Sequence, residues 1–345
     1  YRSGYRQPWA DRSYVTQIAL PPLSREQSTD IVKALFEVEV SPALTDLIVE
    51  RAEGNPFFLE ELAHVVGEQG EGTEPRTVPE TIQEVLLARI NGLADETRRA
   101  LETIGVIGRS ASRRPLSATW GGPEPLDDLL RDLVRQEFLY ETMSTAGDTE
   151  YIFRHPLMQE SAYQNLIENA RSRLHGQAGR ALEQVYAGRL EEVAELLAHH
   201  YGRSAMDEQA VDYGILAAEK AARRWANMEA RTAFTTVLGR LDQMSRTREN
   251  LIRRVDAVLK QSEIRFALGE HRAQLQGLAA VRETVEQVGD PARRAAWLYW
   301  SGFLHSLVGD RPEIGIAYGQ EAAALVARDG AEVLRPFAGW CLSHS

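Results

Sequence analysis

The stretch Arg51-Ala52-Glu53-Gly54-Asn55-Pro56-Phe57-Phe58-Leu59-Glu60-Glu61-Leu62 sets the reading of the chain. Its centre stops one helix and starts another. Glycine accepts the left-handed backbone of a helix stop, and proline suits a first helical turn, where its missing N–H is not needed. Upstream, Ser41-Pro42 opens a helix carrying Leu44, Leu47, Ile48 and Ala52 at helical spacing. Downstream, a helix runs from 57 to about 66 and gives way to a loop over 67–76 rich in Gly and Glu. Ahead of both, Ser24 with Gln27 forms a capping-box start for a helix bearing Ile31, Val32, Leu35 and Phe36. The run Tyr14-Val15-Thr16-Gln17-Ile18-Ala19-Leu20 is β-rich and is ended by Pro21-Pro22. One strand has no stability of its own, so its sheet is expected outside this sequence.

From Val78 the texture changes. Thr77 is placed to cap a helix with Pro79 near its first turn, through Ile82, Val85, Leu86 and Ile90. Asp95 opens a second helix with Ala100, Leu101, Ile104 and Ile107, and Gly121-Gly122-Pro123 precedes a third bearing Leu126, Leu129, Leu130, Leu133 and Val134. Two extended runs follow, Phe138-Leu139-Tyr140-Glu141-Thr142 and Tyr151-Ile152-Phe153-Arg154, around the turn-rich Ser144-Thr145-Ala146-Gly147-Asp148. Three helices and then a hairpin is the order of a winged helix.

Beyond His155 the chain reads as helical throughout, with a weak repeat. Phe266-Ala267-Leu268-Gly269-Glu270 recurs as Ser306-Leu307-Val308-Gly309-Asp310, and Trp225-Ala226-Asn227-Met228-Glu229-Ala230 is a looser earlier copy. Small residues (Ala217, Ala218, Ala221, Ala222; Ala295, Ala296; Ala322 to Ala324) are spaced for close approach of paired helices. A solenoid of tetratricopeptide type builds one core from such units. The fold class expected is therefore mainly α. Its parts are a core-strand tail (1–22), a helical lid domain (23–76), a winged-helix domain with a β-hairpin (77–168) and an α-solenoid of TPR-like helix pairs (169–345).

Composition bounds the function. The 345 residues carry 39 Lys and Arg against 50 Asp and Glu, a net charge of −11. With 43% hydrophobic and 26% charged residues the chain can bury a core, which excludes a disordered or collagen-like protein. The acidic balance argues against a surface that embraces nucleic acid. No apolar run is long enough to span a membrane. The single Cys341 excludes an internal disulfide and a cysteine-based zinc site, and suits a cytoplasmic setting. His199-His200 beside Tyr201 invites a metal reading, but adjacent helical residues point to different faces. His64, His175, His271 and His305 are scattered in sequence, so no metal site is expected. The start at Tyr1 and the uncapped stop at Ser345 read as a piece of something longer.

Four segments together resemble one family. The Arg51–Leu62 run is similar to the "R-x-x-G-N-P-F-F-L-x-E-L" segment of bacterial signal-transduction ATPases with numerous domains. Tyr1-Arg2 with Pro8-Trp9, Arg12-Ser13 and Val15-Thr16 resembles the end of their nucleotide-binding core. Val78-Pro79, Ile82, Val85-Leu86, Arg89-Ile90 and Leu93 resemble the start of their winged helix, and Phe153-Arg154-His155-Pro156-Leu157-Met158-Gln159-Glu160-Ser161-Ala162-Tyr163 its end. These segments cover roughly residues 1–185 in the family's order. The resemblance implies that Gly54, Asn55 and Pro56 lie against the base of ATP or ADP, with the proline ring on adenine and helix N–H groups beside it. It implies that Arg2 faces the γ-phosphate, where a guanidinium suits phosphate; a surface arginine at a frayed terminus is the other reading. It offers His155 as a diphosphate contact; the alternative is a helix-start residue packed on the wing.

The missing pieces weigh as much. No G-x-x-x-x-G-K-[ST] loop, no strand ending in paired acids for Mg²⁺ and no nucleophile elbow occur, so this chain holds no complete active site, and Mg²⁺ would come from an upstream core. The third helix of the winged helix carries Asp127, Asp128 and Asp132 against Arg131 and Arg135, which opposes DNA; Arg109, Arg113 and Arg114 read as a solvated loop. The expected function is regulatory: lid and winged helix close over ATP or ADP, while the repeats bind a protein partner or small inducer. The resemblance implies a parent ATPase able to oligomerise, whose output is an adenylate/guanylate cyclase or a LuxR-type DNA-binding domain. A nucleotide-independent TPR scaffold and a winged-helix DNA-binding regulator are the alternatives.

Overall fold

The structure is a computed structural model that describes residues 20–36, 40–68, 79–144, 147–308 and 311–329. Arg2, the expected strand except Leu20, Thr77, the second repeat turn at Gly309-Asp310 and Cys341 lie outside the described residues. In chain order the described elements open with helices α1 (Arg25–Leu35), α2 (Pro42–Ala52), α3 (Pro56–Glu68), α4 (Ile82–Gly92) and α5 (Asp95–Ile107). Strand β1 (Ser110–Ser112), helices α6 (Arg113–Thr119) and α7 (Leu126–Arg135), and strands β2 (Leu139–Met143) and β3 (Thr149–Phe153) follow. Helix α8 (Pro156–Asn165) leads to α9 (Glu168–Val185), α10 (Ala194–Tyr201), α11 (Asp207–Arg223), α12 (Asn227–Leu241) and α13 (Arg248–Ala267). The last are α14 (His271–Ala280), α15 (Arg282–Val288), α16 (Pro291–Val308) and α17 (Pro312–Asp329). The protein is mainly α, with one small sheet among the described residues.

The chain divides into two compact units, the first comprising the described residues up to Arg99 with Arg154–Asn165, the second Ala100–Phe153 with Leu166 onward. In the first unit the caps start the helices. Gln27 N–H donates to Ser24 Oγ at 3.2 Å and Ser24 N–H to Gln27 Oε1 at 2.9 Å, a complete capping box. Ser41 caps α2 through Leu44 N–H at 3.3 Å. The cap of α4 is Thr81, with Glu84 closing its box; a glutamate three residues on outweighs the proline cue that pointed to Thr77. Val32, Ile48, Ala52, Leu59, Leu62 and Val85 form a shared core of α1–α4. Helix α8 packs on α4 and buries Met158, Ser161 and Ala162.

In the second unit the sheet is antiparallel in the order β1-β3-β2. Ser110 lies opposite Ile152, and Leu139 opposite Phe153. Helix α7 turns Leu126, Leu129, Leu130 and Leu133 inward, beside the buried Phe138 and Phe153. The hairpin matches the sequence reading, whereas β1 and α6 are additions to it. Ser110–Ser112 has little strand propensity and is extended because β3 supplies its hydrogen bonds. Arg113–Thr119 shows too few apolar positions to declare a helix, yet Pro115, Leu116 and Thr119 are buried.

From α9 on, helices pack as neighbours along the chain: α9 with α10, α10 with α11, α11 with α12, α12 with α13, and α16 with α17. Val211, Ala218, Ala230, Phe234, Val237 and Ala257 join α11, α12 and α13 in one core. The turn at Gly269 has φ 72°, and Trp225 holds the corresponding left-handed backbone, φ 60°, between α11 and α12. The two members of the weak repeat thus share one turn geometry, although a tryptophan pays a strain there that glycine does not.

Helix α9 packs tightly on α10 at Gly179, where an added Cβ would lie 2.7 Å from Tyr201 Cζ. Tyr201 is fully buried and stacks on Tyr213 at 5.5 Å between centroids. Gly179→Ala is therefore expected to lower thermal stability by about 1–3 kcal/mol through overpacking. Gly277→Ala, on α14 with open space around it, should raise it by about 0.5–1 kcal/mol through helix propensity. Opposite-signed shifts in melting temperature check the pair.

Candidate functional site

The turn between α2 and α3 is built on close backbone approach. Glu53 and Gly54 are both left-handed, with φ 49° and 75°. A Cβ on Gly54 would stand 2.5 Å from Leu23 O, and Leu23 N–H donates to Gly54 O at 2.9 Å. Gly54 is buried, and the segment Pro22-Leu23 leading into α1 runs against the turn. Asn55 caps α3: its Oδ1 accepts from Phe57 N–H at 3.1 Å and Phe58 N–H at 3.4 Å. That corrects one expectation, since these two N–H groups at the helix start are already bonded. The Pro56 ring itself is exposed.

His155 reaches the same surface from the far end of the unit's sequence. It begins α8, where Leu157 N–H donates to His155 Nδ1 at 3.2 Å and Met158 N–H to its carbonyl at 3.1 Å. An accepting Nδ1 leaves the ring proton on Nε2. The imidazole stacks face to face on Phe57, centroids 3.9 Å apart and planes 17° from parallel. Of the residues singled out from sequence, Gly54, Asn55, Pro56 and His155 are thus brought together. His155 is a helix-start residue, as its second reading held, but its ring packs on Phe57. Phe57 is the joining residue that sequence reasoning passed over, although it lies inside the quoted motif.

The turn is braced from behind by a buried ion pair. Arg89 Nη1 of α4 donates to Glu61 Oε2 of α3 at 2.6 Å, with the two side chains 3% and 5% exposed. Burial pushes the Glu61 carboxyl above its usual range, against the opposing pull of the Arg89 guanidinium.

In the second unit the α7 acids are all paired with arginine. Arg113 forks onto Asp127, with Nη2 2.6 Å from both carboxylate oxygens. Arg131 pairs with Asp128, and Arg135 with Asp132 at 2.8 Å. Arg113 therefore begins α6 and is paired with α7 across the surface, in place of standing in a loop.

Sequence reasoning also missed a histidine cluster. His199 and His200 do face differently, one exposed and one buried, but α9 carries the buried His175 to meet them. His175 Nδ1 lies 3.0 Å from His200 Nδ1. Arg203 Nη1 lies 3.0 Å from His199 Nδ1. Burial lowers the His175 and His200 rings to about 4 and about 3, with Arg203 adding to the effect, so both are neutral at physiological pH. Nearby, Glu195, Ala198, Ala217, Ala221, Arg224 and Glu229 line a groove of about 430 Å³. A neighbouring pocket of about 230 Å³ shares Glu195, Ala198 and Ala217 with it and reaches His199.

No protein-family profile matches the chain. An uncharacterized protein of Rhizobium meliloti (strain 1021) is 29% identical over 257 residues, which are 71% of this chain and 25% of that protein. Among solved structures, a signal transduction ATPase with numerous domains that carries a tetratricopeptide repeat sensor, from Pyrococcus horikoshii, aligns with 93% of this chain and 56% of its own. That alignment has a TM-score of 0.36 and 12% sequence identity. The chain spans a quarter of the length of the curated relative. No helix among the described residues is long and apolar enough to cross a membrane.

Glu61→Gln removes the buried carboxylate that faces Arg89 and is expected to destabilise the first unit by up to roughly 3–5 kcal/mol, whereas Glu61→Leu with Arg89→Met should recover most of the loss. Chemical unfolding of the three proteins checks this; equal stability of single and double variants would contradict it.

Proposed function

We propose that this chain is the regulatory half of a nucleotide-switched signal-transduction ATPase. In this reading α1–α3 belong to the lid domain (23–76), and residues 77–168, from α4 through the hairpin, form the winged-helix domain. They close over ATP or ADP held by an upstream core that supplies the phosphate loop and Mg²⁺. The Pro56 ring packs on adenine, Gly54 and Asn55 hold the turn that presents it, and His155 meets the diphosphate. Arg2 reaches the γ-phosphate from the end of the core. The helical repeats bind a protein partner or small inducer, and the output, cyclase or DNA-binding, lies beyond this chain.

The observation that carries the reading is the Phe57–His155 stack. It joins two of the four segments on which the resemblance rests, distant from each other in sequence, and it does so beside an exposed proline. Such a surface offers a flat apolar face for a purine. Ligand at this end and partner at the repeats would then bias one equilibrium between closed and open states. A DNA-binding winged helix is disfavoured, because α7 carries three acids, each matched by an arginine, in place of a basic stripe.

A nucleotide-independent scaffold is favoured by one observation, the Asn55 cap, which occupies N–H groups that a phosphate would use. Affinity separates the two. In the full-length protein, Pro56→Ala and His155→Ala are each expected to weaken ADP binding about tenfold, the loss of one well-placed contact. Unchanged affinity in both would overturn the switch and leave the scaffold.

A further inference from the structure

We propose that His175, His199 and His200 form a binding site for one divalent transition cation of the Zn²⁺ class, clamping α9 to α10 at the start of the helical repeats. The proposal stands apart from the nucleotide reading and draws on different residues. One ligand atom from each ring lies within 4.8 Å of the other two. The His175 and His200 Nδ1 atoms are 3.0 Å apart. Imidazole nitrogens at about 2.0–2.1 Å from a tetrahedral zinc stand about 3.3–3.4 Å from each other. The buried pair thus needs a few tenths of an ångström of opening. His199 is exposed, and its ring has the freedom to close the remaining distance.

The chemistry of the rings fits as well. A metal takes imidazole nitrogen, and two of the three rings are buried on facing helices, where a bound ion would be shielded from solvent. Three histidines leave a fourth position for water, and the pocket that reaches His199 opens that side to solvent. Two guanidiniums oppose a cation here: Arg203, bonded to His199 Nδ1, and Arg171, whose charge acts on His175. Arg203 is exposed and can swing away, which frees that nitrogen. The pairing of His175 with His200 by a plain N–H···N hydrogen bond is the competing account of the 3.0 Å separation.

Titration of the whole chain with Co²⁺ and with Zn²⁺, followed by the visible absorption of tetrahedral cobalt and by calorimetry, decides between them. One ion per chain is expected. His199→Ala, at an exposed position that leaves the core intact, should weaken binding by at least about tenfold. Arg203→Gln should retain the site and tighten it about two- to fivefold. Zn²⁺ should raise the melting temperature of the unaltered chain more than that of His199→Ala. Absence of a stoichiometric ion, or cobalt binding that neither His199→Ala nor Arg203→Gln changes, would overturn the proposal and leave a hydrogen-bonded histidine pair.

Discussion

The first unit depends on a place where two stretches of backbone come too close for a side chain. Gly54 faces Leu23 across a gap that no Cβ can enter, and a single hydrogen bond ties them. That constraint turns α2 into α3 within a few residues. It also fixes which way α3 leaves, so Phe58, Leu59 and Leu62 go inward while Pro56 stays in solvent. The buried Glu61–Arg89 pair then locks α3 to α4, and α4 carries α8 with His155 at its tip. Each step is local, yet together they bring residues from opposite ends of the unit onto one stacked pair of rings.

What was legible in the sequence followed from local chemistry. Ser24, Ser41 and the Gly54-Asn55-Pro56 stop carry their own signals, and the structure uses each where the residues stand. The hairpin was legible from alternating aromatic and β-branched residues around a turn. What failed to show was dictated from a distance. Ser110–Ser112 is a strand because of β3, not because of its own residues. Helix α6 is short and contains Pro115, so packing rather than periodicity makes it helical. The histidine cluster was invisible because the decisive partner, His175, lies on another helix. Phe57 lies inside the quoted motif without a role of its own there; only the fold reveals that its ring faces His155.

The second unit is organised differently. Its helices rely on neighbours along the chain, with small residues or glycine where they cross, as at Gly179 against Tyr201. Such an array adjusts by small shifts between adjacent helices, and stability is distributed over successive interfaces. A cation holding α9 to α10 would stiffen the first of those interfaces.

The central claim is that the face formed by the exposed Pro56 and the half-buried Phe57 and His155 is one wall of a purine nucleotide pocket. Photolabelling the full-length protein with 8-azido-ADP, followed by peptide mass spectrometry, tests it most directly. The account predicts label on the peptide containing Pro56 and Phe57, suppressed by excess ADP. Nucleotide-protectable label confined to other segments, with that peptide unmodified, would contradict it.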